Sequence, residues 1–165
     1  MEIQRLERSI RAWIAFFVIA LILSGVTAFA LETELGWLLA NWPGREGGGL
    51  YSWVSRTHEA LKDANIRYPF LAYGFDWLAF AHLVIAVAFI GVWRDPVRNK
   101  WILVFGMIAC VMVFPLAFIA GAFRGIPVYW RLIDCSFGVI GIVPLVICYR
   151  KVEVMERLRR RPVVG

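Results

Sequence analysis

Four apolar runs, each of about twenty residues, set the rhythm of the chain, and with one exception the polar stretches between them are short. The first run, 12–31, reads AWIAFFVIALILSGVTAFAL and carries no charge. The others occupy 72–93, 101–122 and 128–149. A helix of twenty residues is about 30 Å long, one hydrocarbon thickness. The pattern predicts an all-α membrane protein, a four-helix transmembrane bundle that forms one integral membrane domain over 1–165.

The exception is the segment 32–71. Its first part, ETELGWLLANWPG, holds a short apolar, helix-like piece that Pro43 and Gly47-Gly48-Gly49 interrupt. Beyond it, Leu50, Trp53, Val54, Thr57, Leu61 and Ala64 recur at helical spacing, while Arg56, Glu59, Lys62 and Asp63 fill the opposite face. An amphipathic helix is expected here, lying at the membrane interface or capping the outer end of the bundle. Tyr68-Pro69 should end it, because proline disfavours helix in the residue before it.

Smaller features punctuate the spans. Asp95 is placed to N-cap the third span, with Pro96 at the first helical position. Pro115 interrupts that span and should leave the carbonyl near residue 111 without its helical donor. Val152, Val154, Met155 and Leu158 among basic residues suggest that the fourth span runs on into an interfacial helix touching anionic headgroups.

Composition supports lipid as the solvent: 61% of residues are hydrophobic and 18% charged, against roughly a quarter charged in soluble domains. The net charge of +6 comes with no basic surface interleaved with aromatics, so nucleic acid is excluded as a partner. Twelve Lys and Arg residues fall in the start, the 94–100 turn and the tail 150–165. On the other side lie Arg45, Arg56, Lys62, Arg67 and Arg124, with Arg131 inside the fourth span. That bias puts both termini in the cytoplasm, and the expected location is a bacterial inner membrane. The first run could also be read as a signal peptide cleaved after Ala28-Phe29-Ala30, although it is long for one. Cys110, Cys135 and Cys148 form no C-x-x-C pair and read as small buried hydrophobes.

The candidate chemistry lies in the ionisable residues within the spans, which are functional-site candidates by default. From helix rise, His82 falls at the midplane, Asp134 about 7 Å outward and Asp76 about 10 Å outward. Thr27 and Ser24 lie at similar outward depth. Arg131 and Asp134, three apart, can pair on one helix face. Asp76 sits beside Tyr73 near a helix start, where the dipole favours a carboxylate. At about 100° per residue, Asp76 and His82 point to different sides of their helix. His82 is expected to hydrogen-bond Ser136 or the carbonyl freed by Pro115. Haem is the less favoured alternative, since a second axial histidine would have to be His58; no cofactor and no metal are expected. His58 shares a stripe with Tyr51 and Asn65 at the edge of the amphipathic helix's apolar face. Gly138, Gly141, Gly121, Gly125 and the alanine-rich face of the second span suit close helix contacts.

In size, four spans and paired intramembrane aspartates, the chain is similar in outline to lipoprotein signal peptidase, a four-span aspartyl protease. That family's asparagine- and glycine-rich motifs do not surround Asp76 or Asp134, and no residue role carries over. Nor is there the C-x-x-C of vitamin K epoxide reductases. The expected function is non-enzymatic: a small or lipidic ligand, or a membrane partner such as a second copy, bound at an outward polar site. Asp76, His82, Arg131 and Asp134 would form that site, with Thr27, Tyr73, Arg124 and His58 secondary. The rival readings are an enzyme using Asp76 and Asp134 on a lipid or lipidated substrate, an oligomeric transporter or channel subunit, and a haem-binding electron-transfer subunit.

Overall fold

Polar and apolar positions fold into helix nearly everywhere in the computed structural model, which describes residues 2–44 and 47–160; no strand occurs among them. Arg45 and Arg161 of the charge count lie outside the described residues. The elements are α1 (Glu2–Phe29), α2 (Leu31–Ala40), α3 (Gly49–Arg67), a 3-10 turn (Pro69–Ala72), α4 (Tyr73–Arg94) and α5 (Lys100–Pro115). A π turn (Leu116–Ala120), the short α6 (Gly121–Phe123) and α7 (Val128–Arg160) complete the chain. Four helical stretches are long and apolar enough to cross a membrane: Glu2–Phe29, Pro69–Arg94, Lys100–Phe123 and Val128–Arg160.

Two of these stretches outrun a bilayer. At 1.5 Å per residue, α1 and α7 are about 42 and 50 Å long, so the polar start 2–11 and much of the tail belong to the same helices as the apolar runs. At Pro115 the helix does not break. The following turn widens to π, one of the ways a helix absorbs a residue that cannot donate to the preceding turn. Pro144 is likewise taken up inside α7 and is buried.

The chain divides into two compact units, Met1–Ile19 with Ala86–Gly165, and Ala20–Ile85. In the first, Ile10, Ile14, Phe89, Val92, Leu103, Leu145, Cys148, Val152 and Met155 are each 0–1% exposed. Phe17 and Phe89 stack at 4.8 Å between ring centroids, and a side chain at Gly106 would collide with Phe89 and Leu145. Gly138 faces the backbone of α5: a Cβ there would lie 2.5 Å from the Cys110 carbonyl oxygen, and one at Gly141 would lie 3.1 Å from Cys110 Sγ. These glycines let α5 and α7 approach, as the spacing suggested. Gly125 has a different role, since its φ of +65° turns the chain between α6 and α7 with nothing within 4 Å.

The starts and ends of this unit are fastened by polar contacts. The first turns of α1 and the last turns of α7 run antiparallel, joined by Cys148 Sγ to Ile10 O at 3.8 Å, Lys151 Nζ to Ser9 Oγ, and Arg159 to Glu7 at 3.3 Å. Lys100 reaches from α5 to Glu156 and Glu153 of α7 at 2.9 and 3.7 Å, and lies 4.7 Å from the centre of the Tyr149 ring. The acidic residues of the tail thus bind Lys100, and Lys151 and Arg159 also have partners within the protein.

The 94–100 turn differs from expectation. Asp95 does not cap α5, which starts at Lys100 behind Asn99. Its Oδ1 accepts the Arg98 N–H at 3.1 Å, closing a single turn. Asn99 organises the connection: its Nδ2 donates to Gly91 O and to Asp95 O, both at 2.9 Å. The Gly91 carbonyl also accepts the Asp95 N–H at 3.0 Å, so it is bonded twice, and the Asn99 amide ties the turn to the end of α4. Gly91 makes the approach feasible, because a Cβ there would stand 2.8 Å from Asn99 Oδ1.

In the second unit, α2 and α3 form a helical hairpin. Tyr51, His58 and Asn65, seven residues apart, meet Trp42, Gly36 and Glu32 in that order, an antiparallel pairing. Leu35 and Val54 are buried within the unit. Tyr68 ends α3 as expected, its N–H donating to Ala64 O at 2.7 Å. In the same unit α1 and α4 meet where a Cβ on Gly25 would come 2.9 Å from His82 Cβ and 3.1 Å from Ala79 O.

Candidate binding cleft

Asp76 lies in the first turn of α4, directly behind the 3-10 turn Pro69–Ala72, near the helix end where the dipole favours a negative charge. Its residue is exposed, and it lines two clefts, both within the second unit. One, about 320 Å³, has an aromatic wall of Phe29, Tyr73, Trp77 and Phe80. Trp77 stands edge-on to Tyr73 and to Phe80, at 6.0 and 5.7 Å between centroids. The other, about 160 Å³, is more polar, and Asp76 shares it with Glu32, Thr33 and Asn65.

The α1–α2 junction builds this second cleft. α1 ends at Phe29, Ala30 forms a one-residue break whose N–H donates to Thr27 O at 3.2 Å, and α2 begins at once. Glu32 therefore falls in the first turn of α2, again at the end of a helix that favours a carboxylate. Asn65 Nδ2 donates to Glu32 Oε2 at 2.5 Å, fixing the carboxylate against α3. Neither Glu32 nor Asp76 has an ion-pair partner among the described residues. The arrangement offers carboxylate oxygens to a donor or a cation, beside ring faces suited to an apolar or cationic group.

The remaining predicted residues take other positions. His82 does not bond to Ser136 or to a carbonyl freed by Pro115. Its Nδ1 donates to Leu78 O of its own helix at 2.7 Å, and Ser136 Oγ likewise donates to Ile133 O at 2.6 Å. Polar side chains on helices often find the nearest backbone carbonyl one turn back, and here that local acceptor is taken. His82 is half-buried at the α1–α4 contact opposite Gly25. Thr27 follows the same rule, donating to Ser24 O at 3.1 Å. His58 lies against Gly36 in the α2–α3 hairpin.

Arg131 and Asp134 do not form the ion pair that their spacing allows. Arg131 Nε donates instead to Ile126 O at 2.6 Å, closing the turn before α7, and its methylenes lie against Gly121. A carbonyl in the turn outcompetes the carboxylate three residues on. Asp134 is half-buried and has no hydrogen-bond or ion-pair partner among the described residues. Arg124 is exposed in the α6–α7 turn.

Sequence reasoning missed Glu32 and Asn65. One signal was present: the Tyr51, His58, Asn65 stripe repeats every seven residues, which marks a helix face seeking a partner helix. Nothing in the sequence names α2 as that partner. Comparison with protein families, with curated proteins and with solved structures returned no match.

Proposed function

We propose that the four long helices span a bacterial inner membrane as a bundle with both termini cytoplasmic, and that the Asp76 cleft binds a small or lipidic ligand without chemical turnover. The lysine and arginine bias supports the orientation. The α2–α3 hairpin, whose Glu32 and Asn65 line the smaller cleft, then stands on the outer side. The observation that carries the ligand reading is the coincidence at Asp76 of an aromatic wall with two unneutralised carboxylates. Apolar clefts with a few convergent polar groups are the usual form of small-molecule sites. The ligand presents a hydrogen-bond donor or positive charge to Asp76 and Glu32 and lays an apolar part along Trp77 and Phe80.

Native mass spectrometry of protein purified from membranes tests this. The wild-type chain should carry a bound species that Asp76→Asn and Glu32→Gln each deplete by roughly tenfold, the effect of losing about 1.4 kcal/mol of charge-assisted hydrogen bonding. Unchanged content in both variants contradicts the proposal.

A further inference from the structure

Charge is sorted by sign in the unit formed by Met1–Ile19 and Ala86–Gly165. Its carboxylates are largely paired inside: Glu153 and Glu156 with Lys100, and Glu7 with Arg159; Asp95 accepts the Arg98 backbone N–H and keeps its charge in the 94–100 turn. Apart from these, Glu2 stands at the far start of α1 and Asp134 lies within α7. The two lysines, Lys100 and Lys151, are half-buried and bonded. What remains outside is arginine.

Four of these arginines mark the borders of the apolar runs. Arg11 directly precedes that of α1, Arg94 is the last residue of α4, Arg98 lies in the turn before α5, and Arg150 directly follows the apolar part of α7. All four are exposed, and none of their side chains has a hydrogen bond or ion pair among the described residues. Arg8 and Arg5 lie about 4.5 and 9 Å further along α1, and Arg157 and Arg160 about 10 and 15 Å further along α7. Arg5, Arg157 and Arg160 lie beyond a screening length of about 8 Å, whereas Arg8, one turn behind Arg11, lies within it and supports the same surface.

We infer that Arg11, Arg94, Arg98 and Arg150 bind the headgroup phosphates of anionic phospholipids and gather those lipids around this end of the protein. A guanidinium offers a planar fork that matches phosphate oxygens two at a time, and it gives up its hydration more readily than an ammonium. The division of labour is physical: bonded cations hold helices together, and unbonded ones face the lipid. The inference rests on the membrane-span reading of the four helices and not on the Asp76 cleft.

The full chain in nanodiscs of equal phosphatidylglycerol and phosphatidylcholine provides the test, with retained lipid identified by native mass spectrometry. Phosphatidylglycerol should be enriched on the order of fivefold, as expected for basic residues at a headgroup surface. Changing all four arginines to glutamine should bring the ratio near parity, whereas Lys100→Gln should leave it intact. If the fourfold variant fails to fold, Arg94→Gln and Arg150→Gln singly should each lower the enrichment. Parity in the wild type, or enrichment that survives these changes, overturns the inference. So does loss of the enrichment in excess inorganic phosphate but not in sodium chloride of equal ionic strength, which would make free phosphate the ligand and not the lipid headgroup. A chain that does not enter nanodiscs at all overturns it together with the span reading, and leaves the cleft to its own assay.

Discussion

The two units differ in how they use their apolar residues. Met1–Ile19 with Ala86–Gly165 closes around Phe89, Leu103, Leu145 and Val152, with glycines recessed to admit neighbouring helices. In Ala20–Ile85 the buried hydrophobic residues are Leu35, Val54 and Ala79, while Phe70, Tyr73, Trp77 and Phe80 stay more than half exposed. The first unit has the features of a scaffold. Large apolar side chains stand outside in both units, Trp101, Phe123 and Phe137 of the first among them; the second differs in burying few of its own and in setting aromatic rings beside the Asp76 carboxylate, the form that small-molecule sites commonly take. The contrast teaches that polar residues in apolar helices can spend their hydrogen bonds on nearby backbone, as His82 and Arg131 do, while Asp76 stands exposed in the first turn of α4.

The contrast is broken most directly in the filled unit. Phe89→Ala should lower stability by about 3–5 kcal/mol, since a fully buried ring leaves a cavity and loses its stack on Phe17; thermal unfolding in detergent measures it. Gly138→Ala should follow at about 1–3 kcal/mol, because its methyl meets backbone and not a movable side-chain tip. Gly106→Ala is expected to be milder, as the atoms it meets are the ends of Phe89 and Leu145. An equal loss in both glycine variants would mean that α5 and α7 are freer to separate than their contact implies.

Lys100→Gln sharpens the comparison at a smaller scale. It removes the charge-assisted bond to Glu156 and should destabilise by about 1 kcal/mol. Added salt should weaken the wild type toward the variant, because screening acts on the same interaction.

The helices themselves were largely legible in the sequence. Apolar runs of bilayer length and the periodicity from Leu50 located every long helix, because both signals are local. The continuation of α1 and α7 beyond the apolar runs was less visible, since the hydropathy pattern ends before the helices do. The site was legible only in part. Asp76 and Tyr73 line the aromatic cleft, but Glu32 and Asn65 meet across 33 positions, and no local pattern reports such a pairing. Asn99 lies in the basic 94–100 turn, and its amide ties that turn to Gly91 O of α4, eight residues away. Arg131 shows the opposite failure. Spacing allowed Arg131 to pair with Asp134, but its guanidinium donates to the turn carbonyl of Ile126 instead.

The central claim is that stability resides in one unit and ligand binding in the other, and one paired measurement addresses it. Wild type, Phe89→Ala and Asp76→Asn are purified together, and each is assayed for melting temperature and for bound species by native mass spectrometry. The account predicts that Asp76→Asn loses the bound species while its stability stays within about 0.5 kcal/mol of wild type, and that Phe89→Ala melts earlier yet retains the species while folded. An Asp76→Asn protein that keeps its full complement of bound species would contradict the account.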